Sequence, residues 1–178
     1  KQGDKRRLLE LAARNATLAY EMRFGSDAAM HRAAVEKLRE ALGLATAPRR
    51  IECFDISTIQ GSETVGSMVV SEDGRMVRRE YRKYHVRQNG GTGHSDDFAV
   101  IHEVVLRRYR RLLEEGGPFP DLVIVDGGKG QLSAAYGAFQ ELGLGNLVAI
   151  GIAKREELVV MRDRSDPIAL PSSSVALH

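Results

Sequence analysis

Apolar positions recur at helical spacing near the start of the chain. Leu8, Leu9, Leu11, Ala12, Ala16 and Ala19 share one side of the segment 4–22, and its other side is charged, which predicts a helix. Gly25-Ser26-Asp27 interrupts it. Ser26 or Asp27 can cap a second helix running to Leu42, and Gly43 with Pro48 closes that element. The period then changes. Ile51-Glu-Cys-Phe-Asp-Ile and Thr64-Val-Gly-Ser-Met-Val-Val are short, mostly apolar runs, and Met76–Val86 is a third, rich in Tyr and Arg. Asp73-Gly74, between the last two, is a strong hairpin signal. Residues 51–87 therefore read as an antiparallel meander of three strands.

A glycine-rich loop over 88–95 follows, and Ser95 can cap a helix over 97–115 that ends at Gly116-Gly117-Pro118. Asp121-Leu-Val-Ile-Val-Asp126 reads as a strand buried on both faces. After it come a helix over 130–142, a strand over 147–152, a hairpin pairing 157–161 with 168–170, and at Ser172 the cap of one more helix. The expected fold is a mixed α/β sheet, with three antiparallel strands and then parallel strands, flanked by helices. Ribonuclease H has this order, and several other folds come close. Residues 1–47 read as an N-terminal helical extension and residues 48–178 as the sheet domain.

Composition narrows the class. The 178 residues are 43% hydrophobic and 28% charged, which suits a soluble domain. No apolar run is long enough to span a bilayer, and the N-terminus lacks a signal-peptide core. Cys53 is the only cysteine, so no internal disulfide forms, and a reducing cytoplasm is the expected compartment. The net charge of +2 is uneven: residues 1–50 carry 11 basic against 6 acidic side chains, and residues 51–178 carry 15 against 18. A basic front end can face nucleic acid. The rest would need local basic patches or metal ions to approach DNA. An imbalance this small is equally compatible with neither.

Three carboxylates stand where chemistry is plausible. Asp55 interrupts one apolar strand, Asp126 ends another, and Asp97 opens the helix after the glycine loop. Placed side by side, the two strands would bring Asp55 and Asp126 to one rim. Like charges that close raise each other's pKa or require a cation. Magnesium and manganese are the hard, oxygen-seeking candidates, and three carboxylates can hold two such ions for displacement at phosphorus. The plainer alternative stays open: an Asp at a strand end also serves as a turn former, and one in a helix's first turn also serves the dipole. Asp126-Gly-Gly-Lys-Gly-Gln131 is a glycine turn that can approach a phosphate backbone closely. It fits neither a Walker A loop nor the dinucleotide fingerprint. Arg78, Arg79, Arg82 and Lys83, interleaved with Tyr81 and Tyr84, form a basic ribbon that can grip phosphates or simply solvate an edge strand. Arg107, Arg108, Arg110 and Arg111 pose the same choice on a helix. The histidines show no zinc-ligand spacing.

Ile51-Glu-Cys-Phe-Asp-Ile-Ser, Tyr81-Arg-Lys-Tyr, Asp96-Asp-Phe-Ala, Arg107-Arg-Tyr, Leu122-Val-Ile-Val-Asp-Gly-Gly-Lys-Gly-Gln-Leu, Gly151-Ile-Ala-Lys and Ala176-Leu-His occur in one order. In that order the chain resembles the C-terminal endonuclease half of the UvrC family of bacterial nucleotide excision repair. The resemblance implies a ribonuclease-H-like domain that makes the cut on the 5′ side of a DNA lesion, leaving a 3′-hydroxyl and a 5′-phosphate. It implies a catalytic, metal-binding triad on Asp55, Asp97 and Asp126, with Mg²⁺ or Mn²⁺ as cofactor. It further implies damaged duplex DNA and UvrB as partners, with UvrA indirectly. Lys129, Gln131, Arg78, Arg79, Arg82 and Lys83 are the candidate DNA contacts. Thr58 stands where many members carry His. The family's fourth catalytic residue, a His, is expected beyond His178, and the GIY-YIG domain, the UvrB-binding helices and the helix–hairpin–helix module are not among these residues. Weak or no independent incision is expected on that basis. The rival expectation is a catalytically silent DNA-binding or docking module on the same fold.

Overall fold

Alternation along the central strands decides which helix covers which face. The computed structural model describes residues 28–59, 63–86, 97–153 and 158–169. The expected helices over 4–22 and from Ser172, and the glycine loop over 88–95, lie outside them. Helix α1 covers 28–42. Strand β1 (Arg50–Ile59) pairs antiparallel with β2 (Glu63–Glu72), which turns at Asp73-Gly74 into β3 (Arg75–Met76). Both turn residues have positive φ, 49° and 77°, as a type I′ hairpin turn requires. Strand β4 (Arg82–Val86) also pairs antiparallel with β2.

Helix α2 (Asp97–Glu115) leads to β5 (Leu122–Asp126), which lies parallel to β1. Helix α3 (Lys129–Glu141) leads to β6 (Ala149–Ala153), parallel to β5. Strands β7 (Leu158–Met161) and β8 (Ile168–Ala169) add antiparallel to that edge. The sheet order is β3-β2-β1-β5-β6-β7-β8, with β4 beside β2. Three antiparallel strands joined to a parallel pair by crossover helices is the ribonuclease-H-like order expected from the sequence.

Phe54, Val123 and Val125 project to one face and pack against Val104, Val105, Tyr109 and Phe139 of α2 and α3. Leu122, Ile150 and Val159 project to the other face and meet Leu38 and Leu42 of α1. Both helix stripes follow the three-and-four spacing that buries one side.

Two expectations are corrected. The third strand is not continuous from Met76 to Val86: a single 3-10 turn over Arg78–Glu80 separates β3 from β4. Its cause is ionic, because Glu80 is drawn inward to Arg50 Nη2 at 2.5 Å. The strand expected over 147–152 begins at Ala149, since Leu147 N–H is committed to a turn with the Leu144 carbonyl at 3.0 Å.

Candidate active site

Register brings Asp55 and Asp126 together. Phe54 of β1 is the partner of Val125 of β5, so the next pair along these parallel strands is Asp55 and Asp126. Period-two alternation puts both on the face of Ile124, opposite Phe54 and Val125. Both are half-buried. Asp55 also faces Ser67 across β2, Ser67 faces Lys83 across β4, and Asp126 faces Ile152 across β6. One row thus runs Lys83, Ser67, Asp55, Asp126, Ile152. Lys83 stands two strand spacings from Asp55, about 10 Å.

The electrostatics agree with this placement. Burial pushes the Cys53 thiol up to about 11, and the charges of Asp126 and then Asp55 add to the effect. Both carboxylates are therefore felt at the Cys53 thiol, two residues before Asp55 on the same strand. Ser57 Oγ donates to Asp55 Oδ2 at 3.1 Å.

Asp97 is exposed in the first turn of α2. It lines a cleft of about 410 Å³ with Asp126, Ile56, Gly127, Gly128, Gln131 and Ala153. The cleft sits where the carboxyl ends of β5 and β6 meet the heads of two helices, the usual place for a site in a sheet with parallel strands. Asp55 shares the strand row with Asp126 but does not line the cleft. Among the described residues, no three acidic, His or Cys side chains stand close enough to share a metal ion.

The glycine turn after Asp126 is shaped by close approach. A Cβ on Gly151 would lie 2.5 Å from the Gly127 carbonyl oxygen, so only glycine in β6 lets this turn fold over the strand ends. A Cβ on Gly130 would lie 2.4 Å from the Phe98 ring, and its absence lets the heads of α2 and α3 meet. Gln131 turns back, its Oε1 accepting the Gly128 N–H at 3.1 Å, which caps α3 while its side chain walls the cleft.

The candidate DNA contacts divide. Gln131 lines the cleft. Lys129 points elsewhere, donating to the Ser165 carbonyl at 2.6 Å. Arg78 and Arg79 sit on the exposed 3-10 turn. Arg82 Nη1 donates to the Arg79 and Tyr81 carbonyls at 3.1 and 2.9 Å. Lys83 alone of the ribbon shares the carboxylate row. Of the helix cluster, Arg108 is buried in an ion pair with Glu52, and Arg107 stacks on Tyr84 at 5.6 Å. His94 lies outside the described residues. Sequence reasoning passed over Phe98, 52% exposed beside Asp97; an aromatic directly after an acidic pair at a helix head was the available signal.

A family model described as the UvrC RNAse H endonuclease domain matches residues 39–178. The UvrABC system protein C of Acidobacterium capsulatum is 48% identical over 99% of this chain and 27% of that protein. Its counterpart in Koribacter versatilis is 47% identical over 99% of this chain and 29% of that protein. The chain spans less than a third of the length of these relatives. The catalytic domain of human endonuclease V aligns with a TM-score of 0.46 at 18% identity, covering 78% of this chain and 59% of that one.

Proposed function

Because the chain belongs to the family of UvrC RNase H endonuclease domains, we propose that it makes the 5′ incision beside a DNA lesion, by divalent-metal-dependent hydrolysis at Asp55, Asp97 and Asp126. The observation that carries this reading is the adjacency of Asp55 and Asp126 on one face, Asp55 midway along β1 and Asp126 at the end of β5. Two carboxylates side by side on one face offer the oxygen donors that a hard divalent cation takes. The donor set fits magnesium or manganese. Such an ion is commonly held by one or two carboxylates together with water and substrate phosphate, so it does not require a third acid in the same cluster. When bound, it supplies Lewis acidity toward the attacking water and the leaving oxygen.

The remaining work falls to the chain itself. Asp55 and Asp126 would hold the ion from neighbouring strands, and Asp97 lines a cleft with Asp126 from the head of α2. The turn at Gly127 and Gly128 exposes backbone to which a phosphate can come close. Gln131 and Lys83 lie where they can orient the strand being cut, and Lys129, Arg78, Arg79 and Arg82 add charge around it. The products would be a 3′-hydroxyl and a 5′-phosphate. The partners in this reading are damaged duplex DNA, UvrB through segments outside this chain, and UvrA indirectly, in the cytoplasm. No helix among the described residues is long and apolar enough to cross a membrane.

One observation favours the alternative of a catalytically silent DNA-binding or docking module: Asp55 does not line the cleft that Asp97 and Asp126 share. The two readings separate in a reconstituted UvrABC reaction on a lesion-bearing duplex, using the full-length protein with Asp126→Asn. The nuclease reading expects the 5′ cut to disappear while the cut on the 3′ side, which in this family belongs to the separate GIY-YIG domain, persists. A 5′ cut that survives Asp126→Asn would leave the docking module standing.

A further inference from the structure

A second cavity, larger than the carboxylate cleft, lies outside it. It is a groove of about 650 Å³ between α3 and the segment joining β7 to β8. Lys129, Ser133, Tyr136 and Gln140 line one wall at helical spacing, and Arg162 and Arg164 line the other. The wall on α3 runs from residue 129 to residue 140, about 16 Å of helix axis. Duplex DNA advances about 3.4 Å per nucleotide along a strand, so that wall matches four to five nucleotides.

Arg162 is held ready. Its guanidinium carbon lies 4.8 Å from the centroid of the Tyr136 ring. Tyr136 is itself fixed: its hydroxyl donates to the Ala149 carbonyl at 3.2 Å and accepts the Ala149 N–H at 3.0 Å. Its ring also meets Phe139 edge-on at 5.6 Å. A guanidinium stacked on an immobile ring gives up little further freedom when its planar fork takes a phosphate. Lys129 reaches across to the Ser165 carbonyl and keeps two further N–H donors. Asp163 is the only acid in the lining, against three cations. Gly128 lines the cleft and the next residue, Lys129, lines the groove, so cleft and groove meet at the head of α3.

We propose that this groove binds the phosphodiester backbone of DNA leading away from the scissile phosphate, with Arg162 as its main phosphate ligand. The direction assigned to the strand rests on the nuclease reading above. The binding itself does not.

The test is fluorescence anisotropy of this chain with a short labelled duplex, in EDTA so that no cutting occurs, over a range of KCl. Arg162→Gln is expected to weaken binding about 5- to 10-fold and to lower the salt slope by about 1, as loss of one phosphate contact does. Arg162→Lys, which keeps the charge and the fold but loses the stacked fork, is expected to fall between the two. Arg32→Gln, an exposed substitution on α1, controls for bulk charge. The proposal is overturned if Arg162→Gln and Arg162→Lys both bind as the unmodified chain does, if Arg32→Gln weakens binding as much, or if the unmodified chain binds no duplex at low salt. The 5′ incision assay with Asp126→Asn reports separately on the nuclease reading, so either idea can fail alone.

Discussion

Arg108 reaches from α2 into the core and clamps Glu52 of β1 with two hydrogen bonds, Nη2 to Oε1 at 2.7 Å and Nε to Oε2 at 3.2 Å. Glu52 is fully buried. Tyr109 Oη donates to the same carboxylate at 3.0 Å, and Arg50 Nη2 approaches it at 3.3 Å. The burial of Tyr109 and the charge of Glu52 together hold its phenol well above its ordinary range, so Tyr109 stays a donor. Asp55 lies three residues along β1 on the opposite face. The network therefore pins the strand that carries it.

Arg108→Met should be strongly destabilising. It leaves Glu52 buried with much of its countercharge removed, a class of change that costs about 3–5 kcal/mol. Urea unfolding measures this directly. Adding Glu52→Leu to Arg108→Met should restore much of the loss, because the stranded charge is then gone too. A single variant that loses under about 1 kcal/mol would mean that Arg50 and Tyr109 suffice to hold Glu52.

The same network sets a pH dependence. Hydrogen bonding from Arg50 holds the Glu80 carboxyl below its ordinary value, against the upward pull of its partial burial. A carboxyl lowered in the folded state contributes its full stability above the unfolded value, near 4.3 for glutamate. That contribution is lost as pH falls through the lowered folded value. Urea midpoints should therefore decline through this acid window, and Glu80→Gln should flatten part of the decline. Parallel declines in the two proteins would show that Glu80 contributes nothing. Glu80→Gln should also loosen the 3-10 turn between β3 and β4.

These contacts explain what could and could not be read in advance. The apolar run Ile51–Ile56 carries two acids, and both were visible. Alternation alone puts Glu52 and Asp55 on opposite faces, one toward the helices and one toward Asp126. What the chain order hides is the partner of each. Arg108 is one of four arginines with the same local appearance, and only the inward side of α2 distinguishes it. The meeting of Asp55 with Asp126 was legible in outline, because one acid interrupts an apolar strand and the other ends one. The break in the third strand was not, because its cause is a long-range pull of Arg50 on Glu80. The groove at Arg162 was equally hidden, since Tyr136 and Arg162 sit on separate elements and meet only through the fold.

Removing either central carboxylate should separate its two roles. In EDTA, Asp55→Asn and Asp126→Asn are each expected to change the melting temperature little, since Asn keeps the shape and an acceptor oxygen at both positions. With Mn²⁺ the unmodified chain should gain stability, about 2.7 kcal/mol at a hundredfold excess over the dissociation constant, and both variants should lose that gain. Differential scanning fluorimetry with a manganese series is sufficient. Variants that melt lower in EDTA, in a protein that manganese does not stabilise, would mark the carboxylates as structural.

Lys83 and Arg79 offer a sharper test of the basic ribbon. Both are exposed cations a few residues apart, and by charge alone they are interchangeable. Register makes them different. Lys83 faces Ser67, which faces Asp55, so its side chain leaves the same face as the carboxylates from a backbone position about 10 Å from Asp55, close enough to serve a phosphate next to the one being cut. Arg79 sits on the 3-10 turn beyond the end of that row. Lys83→Gln should therefore reduce the rate of 5′ incision in the full-length protein about tenfold, roughly 1.4 kcal/mol in the transition state, while Arg79→Gln should change it less than twofold. A contact that merely added charge would show equal losses in the two variants, each relieved by lower salt. A contact that positions the strand should leave the Lys83→Gln defect in place at low salt and with saturating DNA, as a fall in kcat and not in apparent affinity.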